Sequence, residues 1–263
     1  MKYDLTASIV TCRNDLKMLQ KAINSFLNTE LSVRLIVVDN SPDDDIRKIC
    51  NDSKIEYVFN NANIGFGAGH NIAIQRIQEL SKYHIVLNPD IYFSRGNLEK
   101  LYDFMENNND VGLVMPKILY PDGSLQYLCK KLPTPFDLIL RRFIPSFLKP
   151  VFQKRLDSFE FKDRDYNEIM SVPGLSGCFM FIRTGIFKEI GMFDERFFMY
   201  AEDTDLCRRI GNKYKTMYYP EAVIYHEYAK GSYKSNKLLM VHINSAIKYF
   251  NKWGWFFDKD RNK

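Results

Sequence analysis

The amino-acid sequence predicts an α/β fold with a mostly parallel central sheet and flanking helices. Between residues 7 and 119, short runs rich in β-branched residues alternate with longer stretches of helical spacing. This alternation is typical of strand–helix–strand units. The chain has 263 residues, 46% of them hydrophobic, so one large domain can bury most of its apolar surface.

The first half of the chain predicts five strands separated by helices. The strand candidates are 7–12, 33–40, 55–59, 84–88 and 111–116. Apolar residues spaced three and four apart predict helices over 16–27, 74–80 and 98–105. The sequence "YPDGSL" at 120–125 has the residues of a tight turn, so we expect the tip of a hairpin there.

The second half has a different character. Residues 130–156 mix bulky apolar side chains with Lys and Arg, and four prolines within them exclude one continuous helix. Regular structure is predicted to return as a strand at 176–183 and a short helix at 184–190. A helix at 202–210, a strand pair within 215–227 and a final helix at 237–253 follow. We expect a single domain over 1–263, divided into 1–119, 120–232 and a C-terminal part, 233–263.

Composition excludes several functional classes. The formal net charge of +5 is modest for this length, which argues against a nucleic-acid-binding protein but permits anionic ligands. Five scattered cysteines without a C-x-x-C pair suggest neither a disulfide framework nor a zinc site, and they favour a reducing, cytoplasmic setting. No run reaches the roughly 18 apolar residues of a membrane span, and we expect no signal peptide.

Polar residues lie at the ends of three of the predicted strands. They are Thr11 and Arg13 at the end of the first strand, Asp39 and Asn40 at the end of the second, and Asn88 and Asp90 at the end of the fourth. In an open α/β sheet the ligand crevice lies beyond the carboxyl ends of the strands. Each residue taken alone fits a helix cap or a turn, but three clusters at one sheet edge favour a ligand site.

The Gly-rich segment "NNANIGFGAGHN" at 60–71 is open to two interpretations. Gly65, Gly67 and Gly69 would let the backbone approach a phosphate or ribose at the start of a helix. The same spacing resembles the dinucleotide loop of Rossmann dehydrogenases and methyltransferases, with Asp90 as the ribose-binding acid. Against that alternative, His70 stands at the last glycine position, and the segment lies in the third strand–helix unit.

Two further features could carry chemistry. Glu202, Asp203 and Asp205 lie at a predicted helix start, where the helix dipole stabilises anions. Carboxylates this close also repel one another, which raises a proton affinity and suits one of them to general-base catalysis. His226 follows the predicted strand "AVIY". A lone histidine is more often structural, but imidazole would suit Mn²⁺ if a cation binds at Asp90.

Seven segments together resemble a known family. They are "SIVTCRN", "LIVVDNSP", "NANIGFGAGHNIAI", "LNPDI", "GCFMFIR", "FDERFFMYAEDTDLCRRI" and "YHEYAKGS", which extend from Ser8 to Ser232. In this order they resemble the family 2 inverting glycosyltransferases of the GT-A fold, and among these the rhamnosyltransferase-like bacterial members that build surface polysaccharides.

The resemblance implies a role for each candidate residue. Asp203 would be the general base, and Glu202 would position the acceptor. Asp90 and His226 would hold a divalent cation, Mn²⁺ or Mg²⁺, on the donor diphosphate. The residues that would line the donor pocket are Thr11, Arg13, Asp39, Asn40, Asn63, Gly65, Asn71 and Asn88. The chain departs from the family pattern at position 88, where D-x-D would have Asp, and at position 40, where many relatives have a second Asp.

The resemblance also implies the substrates. The donor would be a nucleotide sugar, dTDP-rhamnose first and a UDP-hexose as the alternative. The acceptor would be a saccharide or a polyprenyl-diphosphate-linked saccharide, bound by residues 120–232. Residues 130–156 and the tail aromatics Trp253 to Phe257 are then either an ordinary acceptor-side subdomain or a peripheral contact with the inner membrane. A binding scaffold with a decayed site is the non-enzymatic alternative.

Overall fold

The computed structural model describes residues 1–77, 79–227, 236–258 and 260–261. The strands in these residues form one continuous mixed sheet. Its strands are β1 (Tyr3–Thr11), β2 (Val33–Asp39), β3 (Ile55–Phe59), β4 (Ser81–Leu87), β5 (Ile91–Tyr92), β6 (Val111–Leu119), β7 (Met170–Ser171), β8 (Phe179–Arg183) and β9 (Lys215–His226). The strand order is β3-β2-β1-β4-β8-β6-β9-β5, and β7 also pairs with β9. Strands β1 to β4, β6 and β9 run in one direction, so the predicted, mostly parallel α/β sheet is confirmed.

Helices lie against this sheet and in the segment inserted after β6. They are α1 (Leu16–Leu27), α2 (Phe66–Ile77), α3 (Asn97–Asn107), α4 (Pro135–Phe143), α5 (Lys149–Phe159), α6 (Ile186–Ile190), α7 (Glu202–Gly211) and α8 (Asn236–Trp253). Asp15 caps α1 by accepting hydrogen bonds from two backbone N–H groups. Thr134 and Asp137 form a capping box at α4, with Pro135 in its first turn. Residues 130–156 thus do not form one continuous helix, as the sequence predicted, and α4 and α5 are separate.

One predicted element is wrong. We expected a strand pair within 215–227, but β9 is a single strand of 12 residues. Its register against β6 shifts between Tyr219 and Val223, around Pro220. Proline cannot donate a ladder hydrogen bond, and an irregularity in the pairing accommodates it without ending the strand.

The strand order positions the site. The run β3-β2-β1-β4 places β1 between β2 and β4, with all four strands parallel. The strands that follow β1 in the chain are thus placed first on one side of it, as β2 and β3, and then on the other side, as β4. A crevice opens beyond the carboxyl ends of the strands where the order reverses in this way. Below it, the core is continuous from α1 across the sheet to α7.

Some predicted features lie outside the described residues. The end of the segment "YHEYAKGS" and the last residues of the tail are among them, and the side chains of Arg141, Arg142 and Lys149 are also not described. Within the described ranges, no helix combines the length and apolar character needed to cross a membrane. The division of the chain into 1–119, 120–232 and 233–263 stays a prediction.

Candidate active site

The turns after β1 and β2 are joined at the crevice. The Thr11 hydroxyl, at the end of β1, donates to Asn14 Oδ1 at 2.9 Å. Arg13 adopts φ +54°, and its backbone N–H donates to the Ser41 hydroxyl at 2.9 Å. A non-glycine residue at positive φ is uncommon and requires support from its surroundings. Thr11 and Arg13 thus lie at the predicted strand end, held by the turn after β2.

Asp39 and Asn40 face different neighbours. Asp39 is fully buried, and its carboxylate accepts from the Tyr57 hydroxyl at 2.6 Å and from the Ser41 N–H at 2.9 Å. Burial and then this carboxylate raise the pKa of Tyr57. Asn40 instead donates from Nδ2 to the Gly65 carbonyl at 3.3 Å. Asp39 therefore holds the β2–β3 side of the crevice, and Asn40 holds the Gly-rich loop.

The Gly-rich loop is a close-packed connection. The exposed Asn63 accepts from the Gly65 N–H at 3.1 Å. Gly65 adopts φ +98°, and a Cβ there would collide with the Phe198 carbonyl oxygen. At Gly69 a Cβ would lie 2.7 Å from Val10 of β1. Neighbouring protein atoms thus occupy the space beside Gly65 and Gly69. Packing within the protein explains why glycine stands at these two positions, and no bound dinucleotide is needed to explain it.

His70 likewise belongs to the core. It is fully buried, and its Nδ1 lies 2.7 Å from the Ser8 hydroxyl, which also contacts His84 Nε2 at 2.8 Å. Burial, and to a smaller extent His84, lowers the pKa of His70. This neutral hydroxyl–imidazole cluster occupies the position where a dinucleotide loop would have a glycine, which disfavours the Rossmann alternative.

Asn71 braces the loop that leads to the acidic cluster. Its Nδ2 donates to the Phe193 carbonyl and to Glu195 Oε1, each at 2.9 Å, and its Oδ1 accepts from the Phe193 N–H at 3.0 Å. Asn71 is only 2% exposed. Its observed contacts are therefore those of a brace between α2 and this loop.

Pairing between β5 and β9 brings Asp90 and His226 together. Ile91 stands opposite His226, and the Asp90 carbonyl accepts from the Glu227 N–H at 3.0 Å. Asp90 Oδ1 lies 3.4 Å from His226 Nε2. Two residues far apart in the chain thus meet at the carboxyl end of β4.

Gln126, which the sequence did not single out, orients His226. Its Nε2 donates to the His226 carbonyl at 2.7 Å, and its Oε1 lies 3.0 Å from His226 Nδ1. Since an amide oxygen only accepts, Nδ1 carries the proton of this bond and Nε2 faces Asp90. Gln126 follows the confirmed turn at 120–125, but no pattern in the sequence connects it to position 226.

The pair could contribute two ligands to a cation. Asp90 Oδ1 is buried without a hydrogen-bond partner, an arrangement that a cation would satisfy. Burial lowers the pKa of His226, but Cys178 and the Asp90 carboxylate outweigh it and raise the pKa to about 10, so a cation there competes with a proton. Within the ranges described above, no cluster of three or more His, Cys, Asp or Glu side chains is arranged to hold a metal. Further ligands would have to come from a bound diphosphate or water.

Backbone strain precedes the acidic cluster. Tyr200 and Ala201 adopt φ +71° and +68°, which turns the chain into α7. Asp203 Oδ2 then accepts from the Gly177 N–H at 2.9 Å, and its Oδ1 accepts from the Thr204 N–H at 2.7 Å. Such consecutive outliers persist where the surrounding structure fixes them, often at functional sites. Asp203 is held in one orientation while remaining partly exposed.

Glu202 has a different environment from its neighbour. It is 5% exposed, and its Oε2 is buried without a hydrogen-bond partner. Burial, and secondarily the Asp203 charge, raises the pKa of Glu202 to about 8. Burial, with a smaller contribution from the repulsion expected from the sequence, therefore keeps Glu202 protonated near neutral pH.

Asp205 is the structural member of the cluster. It is fully buried and accepts from Arg209 Nε at 2.9 Å and from Trp253 Nε1 at 2.8 Å. Lys252 Nζ lies 2.6 Å from Asp205 Oδ1. Asp205 therefore joins α7 to α8.

The two residues just before β8, Gly177 and Cys178, connect the two candidate centres. The Asn88 N–H donates to the Cys178 carbonyl at 2.9 Å, two residues before Asp90. The backbone N–H of Gly177, the residue before Cys178, donates to the Asp203 carboxylate. One short backbone segment thus contacts the Asp90 turn on one side and the Asp203 carboxylate on the other.

A cavity of about 190 Å³ lies beside the cluster. The carboxyl groups of Glu202 and Asp203 and the hydroxyl of Ser176 line it, and Lys130 and Lys131 from the insertion are also in its wall. The sequence placed residues 120–232 near the acceptor, but it did not indicate Ser176 or these lysines as neighbours of Asp203.

Two relatives that are similar to this chain in sequence are rhamnosyltransferases. An N-acetylglucosaminyl-diphospho-decaprenol L-rhamnosyltransferase of Mycobacterium tuberculosis is 27% identical over 216 residues, covering 77% of this chain and 69% of the relative. Rhamnosyltransferase WbbL of Escherichia coli is 27% identical over 225 residues, covering 82% and 81%.

A solved structure shares the fold. The mannosyltransferase from Pyrobaculum calidifontis, in complex with GDP-Man and Mn²⁺, superposes with a TM-score of 0.62 at 14% identity, covering 95% of this chain but only 65% of its own. This likeness confirms the predicted GT-A fold. The model of glycosyl transferase family 2 matches residues 8–191, and the chain therefore belongs to that family.

Proposed function

We propose that the protein is an inverting glycosyltransferase, with a nucleotide sugar as donor and a saccharide or lipid-linked saccharide as acceptor, in cell-surface polysaccharide synthesis. The observation that carries this proposal is the short segment Gly177–Cys178. It contacts both the Asp90 turn and the Asp203 carboxylate. A leaving-group site and a base are thus adjacent, as a single displacement requires.

Asp203 is the proposed base. The acceptor hydroxyl oxygen forms a bond to the anomeric carbon of the donor while the bond from that carbon to the diphosphate oxygen breaks. The hydroxyl proton passes to the Asp203 carboxylate, and the nucleoside diphosphate leaves with the electron pair. Hydrogen bonds from Gly177 and Thr204 hold Asp203 toward the cavity. Because the attack comes from the opposite face, no covalent enzyme intermediate is needed.

Glu202 is proposed to act as a neutral group. With a pKa of about 8, it keeps its proton at pH 7 and contributes no second negative charge beside the base. We infer that it shapes the cavity around the acceptor and does not take the proton itself.

The donor site is proposed at the strand ends. Thr11, Arg13 and Asn63 would contact the nucleotide, supported by the buried Asp39 and Asn40. Asp90 and His226 would hold Mn²⁺ or Mg²⁺, which would neutralise the charge on the departing diphosphate. We propose dTDP-rhamnose as donor because two relatives are named rhamnosyltransferases; a UDP-hexose is the alternative.

Ligand-dependent stabilisation tests this proposal. Thermal unfolding would be followed with dTDP, UDP, NAD and S-adenosylmethionine, each with and without Mn²⁺. A ligand that binds only the folded state stabilises it by mass action. We expect stabilisation by a nucleoside diphosphate that increases with Mn²⁺. Stabilisation by NAD or S-adenosylmethionine alone would instead support the Rossmann alternative.

A lipid-linked acceptor would bring the protein to a membrane. The relative from M. tuberculosis carries such an acceptor in its name, a saccharide diphosphate on decaprenol. Phe147 on the insertion and Phe257 in the tail are 76% and 96% exposed, and apolar side chains beside lysines favour an anionic interface. We propose peripheral contact with the cytoplasmic membrane face. Failure to co-sediment with anionic liposomes at low salt would refute it.

A further inference from the structure

An apolar groove runs between α4 and α8. It encloses about 240 Å³. Its walls are formed mainly by Pro135, Leu138 and Ile139 from α4 and by Ile243, Ile247 and Phe250 from α8. His242 and Trp255 are its polar members, and the Trp255 indole N–H already donates to Asn251. No charged side chain is among the described residues that line it.

The groove adjoins the cavity beside Asp203. Leu138, His242 and Ala246 line both, so the two spaces meet along these side chains. At its outer side, Ile139 and Ile247 remain 56% and 42% exposed. A ligand could therefore extend from the proposed base, past these shared residues, along the groove to solvent.

Positive charge lies at the junction. Lys130 and Lys131 are in the wall of the Asp203 cavity, together with the shared Leu138 and His242. Lys131 Nζ donates to the neutral Ser158 hydroxyl at 2.7 Å. A diphosphate between a sugar and a hydrocarbon chain would place its negative charge next to these two ammonium groups.

We propose that the α4–α8 groove binds the hydrocarbon chain of a polyprenyl-diphosphate-linked acceptor. The diphosphate then lies near Lys130 and Lys131, and the acceptor sugar lies at Asp203. This inference rests on the proposed glycosyltransferase function and adds to it a binding site for the lipid.

The chemistry of the groove favours this occupant over a peptide. A peptide brings backbone N–H and C=O groups that must be paired when buried, and the wall offers few polar atoms to pair them. A hydrocarbon chain needs none and gains from leaving water. A free saccharide would gain nothing from an apolar wall, so the groove distinguishes lipid-linked from soluble acceptors.

The test compares two acceptors with one sugar diphosphate. One is N-acetylglucosaminyl diphosphate on a polyprenol, and the other carries only a methyl group; both are presented in detergent micelles with dTDP-rhamnose or whichever donor proves active. The variants are Ile139→Glu and Ile247→Glu, which place a charge in the groove at exposed positions. Met240→Glu is the matched control, because Met240 is 63% exposed on the same helix but does not line the groove.

We expect the wild type to show a KM at least about tenfold lower for the long-chain acceptor, a difference of about 1.4 kcal/mol. Both groove variants should abolish that preference while Met240→Glu keeps it, and slow donor hydrolysis should be unchanged in all three. A wild type without a chain-length preference, or groove variants that keep it, would overturn the inference. Absence of transfer to both acceptors by the wild type would instead refute the proposed function.

A direct binding measurement guards against misfolded variants. Trp255 lines the groove, so a polyprenyl monophosphate in micelles should change the tryptophan fluorescence of the wild type and of Met240→Glu. A methyl phosphate should not. An equal response to both phosphates would contradict occupancy of the groove by the chain.

Discussion

Glu202 makes the stability of the fold depend on pH. It is 5% exposed, and its pKa rises from 4.5 to about 8. Between these pH values the folded protein keeps a proton that the unfolded chain has released. Stability is therefore highest below about pH 4.5 with respect to this group, and it falls as pH rises through about 8.

The size of this loss of stability follows from the difference between the folded and unfolded pKa values of Glu202. At about 1.4 kcal/mol per pKa unit, ionising Glu202 in the folded state costs up to about 5 kcal/mol. Glu202→Gln is a neutral isostere that avoids this cost. We expect the variant and the wild type to unfold at similar urea concentrations near pH 5, and the variant to be more stable by several kcal/mol near pH 8.

The assay is urea unfolding at intervals between these two pH values. Glu79→Gln is the control, because it makes the same chemical change at a side chain that is 86% exposed. It should show no pH-dependent difference from the wild type. A constant difference between Glu202→Gln and the wild type across the whole range would refute the burial argument.

Three further substitutions test the site. Asp90→Ala should remove the Mn²⁺-dependent part of nucleoside diphosphate binding, measured by calorimetry; unchanged metal dependence would exclude Asp90 as a ligand. Gln126→Leu should weaken Mn²⁺-dependent nucleotide binding about 10- to 100-fold by releasing His226, whereas Gln126→Glu, which still accepts from Nδ1, should retain most of it; equal losses would contradict an orienting role. Asn71→Ala should cost about 2–3 kcal/mol in urea unfolding, because it strands the Phe193 backbone groups, and a cost below about 0.5 kcal/mol would show that they are satisfied otherwise.

The sequence predicted the sheet and the ends of its strands well. The alternation of apolar and polar runs located β1 to β4, and polar residues after β1, β2 and β4 marked the crevice. Prediction failed at β9, where a strand pair was expected within 215–227. Only the pairing of β9 with β6 shows that a register shift absorbs Pro220 within one strand.

The chemistry of the site depended on contacts that local sequence does not contain. The sequence indicated that one of Glu202, Asp203 and Asp205 would gain proton affinity. Which one is decided by remote partners, since Trp253 and Lys252 reach Asp205 while Glu202 is left buried without such a partner for Oε2. Gln126 was missed for the same reason.

The proposal that Asp203 is the general base is tested most directly by comparing the wild type with Asp203→Asn. Transfer from dTDP-rhamnose, or from the nucleotide sugar that the wild type hydrolyses, would be measured with a lipid-linked acceptor, and donor binding would be measured separately by calorimetry. The proposed role of Asp203 as base predicts a fall in kcat of at least about 100-fold, with the donor Kd changed by less than about threefold. Turnover retained in Asp203→Asn at a rate close to that of the wild type would contradict the account.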